Sequence, residues 1–253
     1  MPSDEGDALT QPPLQVASRL VAEDFHGLLA AFLAGSVVRN EATVTSDLDL
    51  VIVTEHDPAA PYRRSLMRGG WPVELFVHTQ ASLRRFFASD IQHGTPSLPQ
   101  MCAEGLIVCQ SDGQADVIKA EAQALLKAGP EPLSAEQAMH MRYHISDLLE
   151  DLRGSLRPEE SLFIAPLLAE NCIQFHLAMN GFWQGKGKWA HRALKRVDAM
   201  LAQRLVNALQ AVYCDRLTLP LITVVEELLA PHGGPLFAGY YSQAPKPAKD
   251  EGS

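Results

Sequence analysis

The segment SDLDLVIVT, residues 46–54, most constrains how this chain can fold. Its apolar, β-branched end predicts a buried strand. Alternate side chains of a strand point to opposite sides, so Asp47 and Asp49 share one face, about 6.5–7 Å apart. Two unpaired carboxylates that close repel each other. The pair therefore predicts either a strand end that faces solvent or a site that holds a cation.

Two neighbouring features favour the cation site. Gly35-Ser36 ends a short apolar run, where glycine allows close approach of a ligand and the serine hydroxyl can hold a phosphate. Glu74 lies between apolar residues on a second predicted strand. Adjacent strands are about 4.8 Å apart, so Glu74 can join the aspartates if the two strands are neighbours. Otherwise Glu74 is an exposed strand residue. Mg²⁺ is the expected ion because it binds a few carboxylates together with water and substrate phosphate.

The ordered set GSVVRNEATVTSDLDLVIV and VELFV resembles the DNA-polymerase-β-like nucleotidyltransferase superfamily. The resemblance implies that three carboxylates bind Mg²⁺ and act in catalysis: Asp47, Asp49 and Glu74. It implies that Glu74 is the third ligand, the general base, or both. It also implies a nucleotide-binding role for Gly35, Ser36 and Arg39.

Two positions depart from the family pattern. Ala34 stands where many members carry an aromatic residue, and Asn40 stands where many carry glycine. Asparagine also tolerates a positive φ. Neither position is a metal ligand, so the expected site is retained.

The pattern of secondary structure changes at about residue 113. Before it, strands are predicted at 30–35, 47–54, 71–79 and 105–110, helices at 14–31 and 82–90, and a loop at 58–70. After it, only helices are predicted, at 114–128, 134–153, 161–183, 188–213 and 219–230. The predicted fold class is α+β: a small mixed-sheet nucleotidyltransferase domain at 14–112, a C-terminal helical bundle at 113–240, and a disordered tail at 241–253.

The second half extends the resemblance. AENCIQFHLAMNGFWQGKGKW and the following AHRAL resemble the helical region of antibiotic (aminoglycoside-type) nucleotidyltransferases. Lys186 and Lys188 are expected to bind nucleotide phosphates, and Glu170 a substrate amine or hydroxyl. The alternatives are a solvated basic helix and a boundary carboxylate paired with a basic neighbour.

Together these resemblances imply a Mg²⁺-dependent nucleotidyltransferase. It would move a nucleoside monophosphate, AMP from ATP, to a hydroxyl of a small molecule, with antibiotics as one class of acceptor. The alternatives are transfer to a protein or to a tRNA end, and a non-catalytic nucleotide-binding sensor. The expected partners are a nucleoside triphosphate and a small-molecule acceptor.

Composition limits the partners. A net charge of −9 argues against a general nucleic-acid binder, which needs a basic face. Four well-separated cysteines without a CxxC predict free, buried thiols in a reducing cytoplasm. No signal pattern and no membrane-length apolar run are found in the sequence, so a membrane partner is not expected.

One histidine pair has the spacing of a metal site. His140 and His144 share a helix face with Asp147 and could bind zinc. No glutamate lies between them as HExxH requires, so a polar helix face is the favoured interpretation.

Overall fold

The computed structural model describes residues 11–243. They belong to two compact units, which divide between residues 130 and 131. Most of the predicted disordered tail, residues 244–253, lies outside the described residues. The α+β fold class is confirmed, because the first unit is built on a mixed sheet and the described part of the second unit contains helices and no strand.

The first unit alternates helices with a five-stranded sheet. In chain order its elements are α1 (Pro13–Asp24), β1 (Leu28–Ala34), β2 (Leu48–Thr54), β3 (Tyr62–Arg68), β4 (Trp71–Thr79), α2 (Gln80–Gln92), α3 (Ser97–Glu104), β5 (Leu106–Gln110) and α4 (Gln114–Ala128). The strand order is β3-β4-β2-β1-β5. Strands β2 and β4 are parallel, and the other neighbouring pairs are antiparallel.

Strand β2 is the centre of this unit because both of its faces are buried. Leu50 and Ile52 pack in one core cluster with Leu20 of α1. Val51 and Val53 lie in the other core cluster, which α2, α3 and α4 complete. The apolar run predicted from the sequence is therefore buried on both sides, as a central strand requires.

Strand β3 corrects the prediction of a loop at 58–70. It pairs antiparallel with β4 across a two-residue turn of Gly69 and Gly70, at φ +58° and +83°. Positive φ at both turn positions matches the twist of a hairpin. The strand was missed because most of its side chains are polar and it lies at the sheet edge.

Other predicted boundaries also differ from those in the structure. The helix expected at 14–31 ends at Asp24, because residues 28–34 pair with β2 and β5. The helix expected at 188–213 is two helices, interrupted at Asp198, whose carboxylate accepts from the Leu201 N–H at 2.8 Å. Helix α4, predicted to start the helical domain, contributes Ile118 to the core of the first unit instead. The division between the two units therefore follows α4, later in the chain than the predicted boundary at 112/113.

The second unit is a helical bundle. Its elements are α5 (Ala135–Gly154), α6 (Pro158–Met179), α7 (Lys188–Val197), α8 (Ala199–Asp215), α9 (Leu219–Leu229) and a 3₁₀ turn (Ala230–His232). One core joins these helices; its members include Leu149, Leu168, Phe175, Leu205 and Val225. A capping box starts α5, since Ser134 and Gln137 exchange side-chain and backbone hydrogen bonds there.

Helix α6 corrects the expectation that no apolar segment of membrane length is present, because it is the one described helix that could cross a membrane by length and composition. It has 22 residues and a mean hydropathy of 1.3, and 44% of the most apolar stretch is buried inside the protein. It supplies Leu168, Cys172 and Phe175 to the core of the bundle. Core helices commonly have this composition, so the helix is weak support for a membrane location.

The cysteines correct another expectation. All four are free, but only Cys102 and Cys172 are buried. Cys109 lies on the edge strand β5 and Cys214 near the end of α8, and both are exposed.

The capping box provides a test of the bundle. Ser134→Ala should lower the free energy of unfolding by about 1 kcal/mol, because it removes the acceptor of the Gln137 N–H. Thr218→Ala is the matched control, since Thr218 makes no side-chain cap bond at the start of α9. Urea unfolding followed by circular dichroism measures both. Equal losses in the two variants would contradict the assignment.

Candidate active site

Three carboxylates converge at one end of β2 and β4. The parallel register places Asp49 beside Glu74, and Asp47 directly precedes β2. Ligand atoms of all three side chains lie within 4.8 Å of one another. Each side chain is partly accessible. The structure thus brings together the three residues that the sequence pointed to, at a distance suited to one shared cation.

Gly35 is required by the close approach of β1 to this cluster. Its φ is +82°, in the region that favours glycine. A Cβ at this position would lie 2.2 Å from Asp49 Oδ2. Any side chain here would displace the central carboxylate, so the glycine keeps space beside Asp49 open.

The loop between β1 and β2 is held by its own hydrogen bonds. Ser36 Oγ donates to Ser46 Oγ at 3.0 Å, and the Thr43 N–H donates to the same oxygen at 2.9 Å. Asn40 adopts φ +57°, as its tolerance of positive φ allows. These bonds fix Ser46 and hence the approach to Asp47. The phosphate-binding role of Ser36 stays a prediction.

Two arginines provide positive charge at the cluster. Arg39 forms ion pairs with Glu104 at 3.2 Å and Glu41 at 3.5 Å. Arg63 of β3 forms an ion pair with Glu74. Its guanidinium also lies over the Phe76 ring, with Cζ 4.8 Å from the centre of the ring. Sequence reasoning missed Arg63 because it missed β3. The Gly69-Gly70 pair before the strand at 71–79 is the hairpin signal that could have found it.

The central carboxylate resists ionisation. Burial, then the nearby charges of Asp47 and Glu74, raise the pKa of Asp49 from 3.8 to about 6, although Arg63 and Arg39 oppose the shift. A cation beside the cluster would favour the ionised form. The site is therefore electrostatically incomplete without positive charge in addition to the two arginines.

The remaining candidates lie in the second unit. Lys186 precedes α7 and Lys188 begins it, with Lys188 Nζ 5.6 Å from the centre of the Trp189 ring. Glu170 of α6 accepts a hydrogen bond from the Gly187 N–H at 2.9 Å. Glu170 thus has a structural partner at the start of α7. The binding roles predicted for these three residues stay predictions.

Comparison with known families decides the identity of the sheet-containing segment. Residues 18–90 match the family described as nucleotidyltransferase domain. This segment is a nucleotidyltransferase domain. The match runs from α1 into α2 and so includes Gly35 and the three carboxylates.

Other comparisons are more distant. A solved structure of a nucleotidyltransferase-like protein from Exiguobacterium sibiricum 255-15 is similar at 12% identity and a TM-score of 0.46. The similarity covers 87% of this chain and 75% of that chain. No curated protein matches the chain.

The glycine contact makes a direct test of the nucleotidyltransferase domain. Gly35→Ala should destabilise the protein by more than the roughly 1–2 kcal/mol that alanine costs at positive φ, because its Cβ also collides with Asp49. Gly113→Ala is the matched control, with φ +72° and no atom within 4 Å of the added Cβ. Thermal and urea unfolding measure both. A Gly35→Ala loss no larger than that of the control would refute the contact.

The raised pKa of Asp49 predicts how stability depends on pH. An acid with a raised folded-state pKa penalises the folded state once it ionises, so its contribution worsens from about pH 4 to 6 and then levels off. In metal-free protein, Asp49→Asn should therefore gain stability relative to wild type by about 1–3 kcal/mol over this range. Urea unfolding at a series of pH values measures the difference.

The control for this pH series is Glu55→Gln, an exposed carboxylate that follows the opposite end of β2. A change over the same range as large as that of Asp49→Asn would show that the effect is not specific to Asp49. A pH-independent difference for Asp49→Asn would show that Asp49 ionises normally.

Proposed function

We propose that this protein is a Mg²⁺-dependent nucleotidyltransferase that moves AMP from ATP to a hydroxyl group of a small molecule. The observation that carries the proposal is the convergence of Asp47, Asp49 and Glu74 within 4.8 Å. The cluster lies inside the segment that matches the nucleotidyltransferase family. Antibiotics are one acceptor class to test, and the cytoplasm is the proposed location.

The donor set suits a hard divalent cation. All three groups offer carboxylate oxygens, which Mg²⁺ prefers, and they leave room for water and phosphate ligands. The raised pKa of Asp49 is a further reason to expect a cation here, since positive charge would relieve the crowding. When bound, Mg²⁺ would supply charge neutralisation for the triphosphate.

The chain's own residues would position the reactants. Glu74, oriented by Arg63, would accept the proton of the acceptor hydroxyl. The acceptor oxygen then bonds to the α-phosphorus as the bond to pyrophosphate breaks. Ser36 is proposed to donate to a phosphate oxygen, and Arg39 to add positive charge nearby.

In the second unit, Lys186 and Lys188 are proposed to bind phosphate and Glu170 to bind the acceptor. The support is their chemistry and position: two ammonium groups at the start of α7, beside a carboxylate that already contacts that helix end. The start of a helix favours anions, which agrees with phosphate binding.

Incubation of the full chain with each α-labelled nucleoside triphosphate and Mg²⁺ tests the proposal. The acceptor panel includes aminoglycosides and other hydroxyl compounds, with tRNA and a reporter protein as separate arms. Transfer of label to a small molecule with release of pyrophosphate is expected. Label on tRNA or on the reporter protein would identify that macromolecule as the acceptor in place of a small molecule. Nucleotide binding without pyrophosphate release would indicate a non-catalytic sensor.

Asp49→Asn should lower turnover by about 10²-fold or more, equivalent to about 3 kcal/mol of transition-state stabilisation. The substitution keeps the shape of the side chain and removes one ligand charge. Stability of the metal-free protein should stay level or rise, because the repulsion is relieved. Steady-state kinetics and thermal unfolding of the same preparation give both quantities.

Glu55→Gln makes the same change of charge at an exposed position and should leave turnover unchanged. The assignment fails if Asp49→Asn is destabilised yet binds Mg²⁺·ATP and turns over normally. That result would make Asp49 a structural residue.

A further inference from the structure

Helix α5 carries a pair of histidines in the second unit, whereas the carboxylate cluster lies in the first. His140 Nε2 and His144 Nε2 are 3.0 Å apart, and both rings are exposed. The rings are in edge contact, with centroids at 4.4 Å. The i, i+4 spacing on a helix explains why the two nitrogens meet on one face.

Tyr240 holds one of these rings in place. Its hydroxyl lies 2.6 Å from His140 Nδ1, and its ring stacks on Tyr143 at 3.8 Å with an angle of 6° between the planes. In the tautomer in which His140 Nδ1–H donates to Tyr240, the lone pair of Nε2 points towards His144. In metal-binding histidines, the ring nitrogen that does not bind the metal regularly has a hydrogen-bond partner that fixes the ring.

We propose that His140 and His144 bind a late divalent transition-metal ion, Ni²⁺ or Cu²⁺, through their Nε2 atoms. At metal–nitrogen distances of about 2.0–2.1 Å, the observed separation gives an angle of about 95° at the ion. This angle suits tetragonal geometry, whereas tetrahedral Zn²⁺ needs the nitrogens to separate to about 3.3 Å. Imidazole donors suit these metals, and affinity increases from Ni²⁺ to Cu²⁺.

The ion would also secure the segment that follows the last helix. Residues 233–240 are attached to α5 by several bonds. Arg142 donates to the carbonyl oxygens of Gly233 and Gly234 at 2.8 and 2.6 Å, and the Leu236 N–H donates to Ser146 Oγ at 2.7 Å. Tyr240 adds the bond to His140. Tyr240 is hydrogen-bonded to His140, so a metal ion that holds the His140 ring also holds this segment against α5. Because the metal binds the folded protein, it should raise the melting temperature.

Calorimetric titration of tag-free, full-length protein with Ni²⁺ tests the proposal. Saturating Mg²⁺ is present to occupy the carboxylate cluster. One Ni²⁺ per chain is expected. The affinity should be at least about tenfold lower in His140→Ala and in His144→Ala, because loss of a metal ligand should weaken binding more than loss of a residue that only hydrogen-bonds a ligand. Ni²⁺ should raise the melting temperature of wild type but not of His144→Ala.

Two controls separate this site from others. His56→Ala removes an exposed histidine of the first unit and should bind Ni²⁺ as wild type does. Asp49→Asn should also retain Ni²⁺ binding, so the result is independent of the proposed nucleotidyl transfer. Unchanged affinity in His144→Ala would overturn the proposal, as would loss of binding in Asp49→Asn.

Tyr240→Phe tests the positioning role, because it can keep the stack on Tyr143 and removes the hydroxyl. Ni²⁺ affinity should fall about tenfold. The Cu²⁺ complex of wild type should show hyperfine coupling to two imidazole nitrogens by electron paramagnetic resonance, and that of His144→Ala to one. A single nitrogen in wild type would overturn the pair as ligands, and unchanged affinity in Tyr240→Phe would overturn the role of Tyr240.

Discussion

The candidate site depends on the parallel pairing of β2 and β4. Their register sets Asp49 beside Glu74, and no other strand pair in the described residues brings two of these carboxylates together. A one-residue shift would turn one of them to the opposite face of the sheet. The register is enforced by burial, because Leu50 and Leu75 pack under α1 while Val51 lies in the core on the other side. The packing of the two cores thus determines the geometry of the carboxylates.

This arrangement puts stability and function in opposition at one residue. Asp49 interrupts a strand that is otherwise buried, and its raised pKa reflects both that burial and its acidic neighbours. The apolar clusters on the two faces of the sheet offset the cost, which amounts to a few kcal/mol at most. The same crowding that weakens the free protein strengthens the attraction for a cation. Such clusters of perturbed groups are typical of functional sites.

Sequence reasoning succeeded where one residue pattern has one physical interpretation. The run 48–54 has to be a buried strand, and the carboxylates at its start follow from alternation. It failed where the structure depends on distant partners. Strand β3 has an exposed, polar sequence and is a strand only because β4 offers an edge. Residues 28–31 continue an apolar pattern that suits a helix or a strand, and pairing with β2 decides it. Arg63 was not predicted as a site residue because its strand was not predicted. Cys109 is exposed because β5 lies at the other edge of the sheet, which the sequence around it does not indicate.

Strand β3 also has a bearing on association through the edge of the sheet. Its outer side has no strand partner in the described sheet, so its backbone could pair with another molecule. Arg63, Arg64 and Arg68 lie along this strand, and charged side chains on an edge oppose intermolecular pairing. Arg63 therefore serves two purposes, as the partner of Glu74 and as one of the charges that keep the edge solvated. Selection for solubility and selection for the site act on the same side chain, which restricts the replacements that this position can accept.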